Sequence, residues 1–499
     1  MAAAPRPARP VSHMPAAKRA RTEPACEKKS LWEALRRSTL EDLANKRDPS
    51  WRDPAALAAE HRAVLGNTAI PLAAREAAAV GLGVAAAADI RAGGDAAGEQ
   101  WSVSVAACCR FLESDLAADD NAAVRHASLH TIGSLACRSP VPERLVPQLR
   151  QSASVVSRIL TADPDGDVRA AAAKALTGLL SDAHGPPETV ALLIAAVETL
   201  TARVQAEPLV MVRQAVLKSL GKIGGELCKA ISQASLNEAV LAAEALEGAT
   251  CAVVVQLPME DSADWRAAVP GVLSQLQLPA TAPDTEEKTY APSLCELLSH
   301  GHEGVSRTAA AGLIAMLQAL STGEGGRGEQ ILSSLATALV AETKDERRMM
   351  AVLAVVQEAF GDTNWNFGAG VLWVGDNQEL EHDSQSLTET HRTLRAITKL
   401  ALACIACLSH GNGEADERDE DAEASMERRR PAALAVASIG KHLLCASSES
   451  SRSLFCEAMR CILTSDRSLH RASGLEAVGR LGPCGAEFFT DHVLLALTD

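Results

Sequence analysis

Apolar positions recur at three- and four-residue steps through residues 163–180: Val168, Ala171, Ala172, Ala175, Leu176 and Leu179. The polar run Asp163, Pro164, Asp165, Gly166 and Asp167 precedes them. This spacing lays one apolar stripe along a helix. Asp167 is placed to cap it, because its carboxylate can accept from the open N–H groups of the first turn. The pattern returns in residues 120–135, with Val124, Ala127, Leu129 and Ile132, and in residues 208–224, with Val212, Ala215, Val216, Leu220 and Ile223. Arg125, Arg169 and Arg213 hold the same place in the three segments and lie 44 residues apart. Later copies contain Arg307, Arg348 and Arg471, each followed by alanine within three residues. A short amphipathic helix cannot bury its stripe alone, so the chain predicts a stack of such helices.

A period in the forties with Val-Arg-x-Ala at a helix start resembles the HEAT-repeat family. The resemblance implies an all-α fold, an α-solenoid of about nine helical hairpins stacked side by side. The first helices of the regular repeats are placed near 102–116, 143–161 and 188–205, the second helices near 122, 166 and 209. Residues 235–256 read as a long helix whose partner near Trp265 is degraded by Pro270. The hairpins then resume at 290–300 with 305–320, and at 331–342 with 346–360. A helix at 386–409 follows, then a second helix over 428–444 with Pro431 in its first turn, and a last pair at 451–464 and 468–482. The resemblance also implies a structural ladder: the arginine of each repeat, here Arg125, Arg169, Arg213, Arg307, Arg348 and Arg471, pairs with an acid of the neighbouring repeat.

Composition divides the chain. Residues 1–30 are rich in Pro, Ala, Arg and Lys and predict a disordered basic tail. Seven basic residues there face Glu23 and Glu27, a net of +5, while the whole chain is −15, leaving −20 on residues 31–499. Within the tail, Lys18, Arg19 and Arg21 follow Pro15 and resemble a monopartite nuclear localisation signal. Spaced cations on an extended backbone suit the acidic pockets of an import adaptor. Residues 31–54 read as a short helix and linker, and 55–499 as the solenoid. Two interruptions stand out. Residues 361–385 hold Trp365, Phe367 and Trp373, three of the chain's 13 aromatic residues. They are candidates for contact with a partner, or for an insert folded back over a repeat edge. Residues 411–427 carry eight carboxylates against Arg418 and read as a solvated acidic loop.

Candidate chemistry is sparse. HEAT-like enzymes that bind iron use several His-Glu pairs, and this chain has His302-Glu303. Cys404, Cys407 and His410 have metal-like spacing, but no second pair faces them, and a structural zinc site takes four ligands. The 13 cysteines form no framework and read as reduced, buried thiols. His126 and His130 lie one turn apart and read as surface or groove residues. The acidic body argues against nucleic acid, whose binding needs concentrated Lys and Arg. No apolar run approaches the roughly 20 residues of a membrane span, which predicts a soluble chain. Near the C-terminus, Phe488, Phe489 and Leu494 lie on an apolar-rich helix with little polar cap, a candidate surface for a partner or for self-association. These features predict a non-catalytic, protein-binding scaffold in the nucleus, or otherwise the cytoplasm, with no cofactor, metal or membrane. A transport receptor resembling the importin-β class stays open as an alternative, although such receptors are longer and need no import signal. An enzyme or a nucleic-acid-binding protein of the HEAT-like type stays open with weaker support.

Overall fold

The computed structural model describes residues 54–65, scattered positions between 75 and 112, then 122–134, 146–181, 188–277 except 232, 290–321, 328–341, 346–361, 384–409, 422–445, 449–485 except 484, and 489–490. The basic tail with Lys18, Arg19 and Arg21, the aromatics Trp365, Phe367 and Trp373, and Phe488 and Leu494 lie outside the described residues.

All regular structure among the described residues is helical. In chain order the helices are α1 (Pro54–Leu65), α2 (Ala122–Ser134), α3 (Val146–Ala162), α4 (Gly166–Leu180), α5 (Glu188–Ala206), α6 (Val210–Ile231), α7 (Leu236–Gln256) and α8 (Ala263–Gln275). They continue with α9 (Tyr290–Leu297), α10 (Glu303–Ser321), α11 (Gly328–Ala341), α12 (Glu346–Gly361), α13 (Ser384–Leu408), α14 (Ala422–Cys445), α15 (Glu449–Leu463) and α16 (Ser468–Leu481). Two rows result. The even-numbered helices from α2 to α16 each pack on the next, and so do the odd-numbered helices from α3 to α15. Each odd helix from α3 to α15 also packs on the even helix that follows it, making a two-layered stack of hairpins: an all-α solenoid.

The stack is held by small residues. Ala170, Ala171, Ala172, Ala173 and Ala175 of α4 are all buried. At the α2–α4 crossing, Gly133 and Gly178 bring two backbones into contact, since a Cβ on Gly178 would sit 2.0 Å from the carbonyl oxygen of Gly133. Buried hydroxyls add bonds between neighbours: Thr131 Oγ1 donates to Ala79 O at 2.7 Å and Ser219 Oγ to Ala173 O at 2.9 Å.

Several local readings change. The cap of α4 is Asp165, which accepts from the N–H groups of Asp167 and Val168, while Asp167 stands exposed in the first turn. Its charge there still complements the helix dipole. The helix α8 runs unbroken through Pro270. A proline forgoes one backbone hydrogen bond, but α8 is pinned by buried Trp265, Val269, Val272 and Leu273 and by Ser262, which caps the N–H of Trp265. The helix α14 begins at Ala422, nine residues before Pro431, so the end of the acidic stretch is helical rather than loop. Ala, Glu and Met are strong helix formers and carry the turn across that boundary. Phe489, a candidate for partner contact, is fully buried and meets Phe455 edge to face, with ring centroids 6.5 Å apart. Burial removes it from any surface.

Two helices, contrary to the reading of apolar runs, are long and apolar enough to cross a membrane by length and composition: Thr189–Ala206 and Leu236–Met259. Alanine raises their hydropathy without a continuous run of large side chains. Both are packed in the odd-numbered row, with 39% and 56% of those residues buried.

Candidate protein-binding groove on the second-helix row

The even-numbered helices from α2 to α8 are joined by a chain of ion pairs near their starts. Arg125 of α2 donates to both oxygens of Asp163, Nε to Oδ2 at 2.7 Å and Nη2 to Oδ1 at 3.1 Å. Arg169 of α4 grips Glu207 in the same two-pronged way, at 2.9 and 2.7 Å. Arg213 of α6 donates Nε to Glu260 Oε2 at 2.7 Å. Each acid lies six residues before the arginine of its own repeat, and that arginine donates Nη1 to the acid's backbone carbonyl. Arg169 reaches Asp163 O and Arg213 reaches Glu207 O, both at 2.8 Å, and Arg266 reaches Glu260 O. One guanidinium thus binds its own turn and the next repeat's turn together, a use suited to its planar fork of donors.

Arg266 belongs to this register although it lies 53 residues after Arg213, because the repeat is lengthened by α7 and the 3-10 turn Leu257–Met259. The signal that finds it is an acid followed six positions later by arginine: Asp163 with Arg169, Glu207 with Arg213, Glu260 with Arg266. The chain of acid partners then stops, since Gly301 stands six residues before Arg307 and has no carboxylate to offer Arg266. Arg307 is itself 77% exposed and pairs with Glu303 of its own helix. Arg348 donates Nε to the carbonyl of Cys295 at 3.1 Å, and Arg471 donates to the carbonyls of Ser465 and Asp466 at 2.8 and 3.2 Å. Arg307 thus bonds to a carboxylate one turn back and Arg471 to backbone of its own turn, rather than to an acid of the next repeat.

Burial alone would raise the carboxyl of Glu207, but hydrogen bonds from Arg169, the Leu209 N–H and Arg203 outweigh it and hold the group below its ordinary 4.5. Glu260 is lowered in the same sense by Arg213 and the Ser262 N–H against its burial. Both folded-state values lie below the unfolded ones, so the stabilisation is complete above the unfolded value and is lost as pH falls through the folded one. Melting followed from neutral pH down through the carboxylate range is therefore expected to show a fall in acid that is shallower in Glu207→Gln, which cannot titrate. Parallel curves for the two proteins would remove Glu207 from the acid transition.

Along α2, α4 and α6 an open groove of about 490 Å³ follows the row. His126 and His130 of α2 line one side, Met211, Gln214 and Lys218 of α6 the other, and Asp167, Ala170, Ala171 and Lys174 of α4 lie between. Its floor is alanine, which the pattern of buried positions on α4 and α6 dictates. Leu209, Val210 and Met211 stand 46%, 44% and 53% exposed around the start of α6, and Met211 lines the groove. Burial pushes the His126 imidazole down; Asp167 pulls it up and Lys174 pushes it further down, and the net shift is downward. Lys174 and Lys218 bring positive charge to the groove. Among the described residues no group of three or more His, Cys, Asp or Glu is arranged to hold a metal ion. Cys404 and Cys407 are buried in α13, and burial raises both thiols, that of Cys407 to about 11.

No family model matches the chain, nor does any curated protein sequence. Solved structures with partial likeness include two engineered proteins. One is 17% identical with a TM-score of 0.32, over 85% of this chain and 98% of that one. The other is 18% identical with a TM-score of 0.33, over 54% and 97%. A third, from work on a phosphorylation switch controlling the interaction between cadherin and β-catenin, is 13% identical with a TM-score of 0.36, over 93% and 91%. At such scores the superpositions are loose, and the solenoid is established by its own two rows of helices.

Proposed function

We propose that this chain is a non-catalytic scaffold that binds proteins along its even-numbered helices, and that it works in the nucleus. The observation that carries the reading is the groove across α2, α4 and α6, three consecutive helices whose relative register is held by buried Arg–acid pairs. A rigid row with an alanine floor, exposed Met211 and a few polar groups is suited to holding a partner's chain along the stack. Placing a photo-crosslinking residue at Gln214 in the groove, and separately at exposed Leu241 on the odd-numbered row, tests it. Protein adducts are expected from position 214 and not from position 241. Equal yields, or adducts from position 241 alone, would remove the groove from the function.

Nuclear entry rests on Lys18, Arg19 and Arg21, whose spacing suits an import adaptor. Residues 1–30 fused to a fluorescent reporter are expected to accumulate in nuclei, and Lys18→Ala with Arg19→Ala to abolish the accumulation. An unchanged distribution would leave the tail with a solubilising role only.

A further inference from the structure

We propose that the ligand of the groove is an acidic protein segment in an extended, polyproline-II-like conformation, with a carboxylate at every third residue. This rests on the groove reading above and names the partner's chemistry.

His130, Lys174 and Lys218 each lie five residues after an arginine of the buried chain, Arg125, Arg169 and Arg213. They therefore occupy one position on three successive helices, and all three are exposed and line the same groove. The Arg–acid pairs beneath fix the helices against one another, so the three side chains form a row whose step is the distance between packed helices, about 8–10 Å. Polyproline II advances about 3.1 Å per residue with three residues per turn, so every third side chain returns to the same side after roughly 9 Å. That step matches the row. A β-strand does not, because its side chains return to one face after two residues, about 6.8 Å, and the third residue points away.

Charge selects the ligand's sign. The row is cationic at Lys174 and Lys218, Lys222 stands exposed one turn further along α6, and Asp167 is the one carboxylate among the groove's lining residues. The rest of the chain beyond the basic tail is strongly acidic. A long polyanion such as nucleic acid would run off this row onto like charge, whereas a short acidic segment ends where the lysines end. The alanine floor leaves space for proline rings or small apolar side chains between the carboxylates, and Met211 offers an apolar contact at the rim.

The test uses the full chain and a fluorescent peptide of repeated Glu-Pro-Pro units, followed by anisotropy at low salt. Binding is expected to weaken about tenfold or more when glutamine replaces the glutamates, when the same residues are reordered to space glutamate by two or four, and in the Lys174→Glu, Lys218→Glu double variant. Both lysines are exposed, so an unchanged melting temperature should accompany the loss. Binding indifferent to spacing or to the charge reversals overturns the proposal, as does no binding. Tighter binding of a single-stranded oligonucleotide that the same reversals abolish would assign the row to nucleic acid and overturn it too. Partners crosslinked at the groove that survive the charge reversals but are lost in Gln214→Trp would leave the groove as a protein site while overturning the acidic ligand.

Discussion

Replacing Gly178 with valine is expected to destabilise the stack by about 3 kcal/mol or more, at or beyond the upper end of the usual cost of overpacking. A Cβ at this position falls 2.0 Å from the carbonyl oxygen of Gly133, 2.7 Å from its carbon and 2.8 Å from its Cα. Those atoms are backbone, so no side chain can swing aside. Relief requires α2 and α4 to separate, and that would strip the alanine contacts that bury both helices. Even Gly178→Ala, which gains up to about 1 kcal/mol of intrinsic helix propensity, should lose stability on balance. Gly248 is the control. It lies within α7, and a Cβ added there would meet nothing within 4 Å, so Gly248→Ala should stabilise by roughly 0.5–1 kcal/mol. Chemical denaturation followed by helical circular dichroism decides the matter: the two alanine substitutions must move the midpoint in opposite directions. Shifts of the same sign would mean that α2 and α4 do not touch through Gly133 and Gly178.

The rows of the solenoid were legible because burial in a two-layered stack demands the same helix at the same interval, and Arg125, Arg169 and Arg213 mark that interval at 44 residues. Length changes hid the rest. Arg266 carries the same contact to its own turn as Arg213, but the longer repeat displaced it from the period. Arg307 kept the motif, but its side chain is exposed and pairs with Glu303 of its own helix, so sequence likeness overstated its role. Prolines misled in the other direction. A proline costs one hydrogen bond and some strain, and burial of Trp265 and its neighbours in α8 outweighs that. The cap of α4 was missed by two residues because Asp163, Asp165 and Asp167 present the same chemistry, and only geometry shows that Asp163 is already bound to Arg125. The groove was legible in its parts, as His126, His130 and the alanines, but not as a site. His130, Lys174 and Lys218 become a row only when the arginine register is used to align the helices.

Glu207→Ala is expected to cost more than Arg169→Ala, although the two residues share one ion pair. Glu207 has a fully buried side chain and accepts from three donors: the fork of Arg169, the guanidinium of Arg203 and the N–H of Leu209. Removing the acid strands two guanidinium groups that the fold holds largely out of water, 9% and 15% exposed. Breaking a buried pair by deleting one partner costs about 3–5 kcal/mol, because the remaining charge loses its compensation. Removing Arg169 leaves Glu207 with Arg203 and the Leu209 N–H, so the loss should stay near 1–3 kcal/mol. The double replacement Arg169→Met with Glu207→Leu leaves Arg203 stranded but removes the buried pair, and should fall below the Glu207→Ala loss. Denaturation midpoints of the three proteins, taken near neutral pH where Glu207 is ionised, give the order directly. Equal losses for the two single variants would show that Arg203 does not support Glu207. A Glu207→Ala protein as stable as the parent would mean that the buried chain of arginines and acids does not hold the row of helices together.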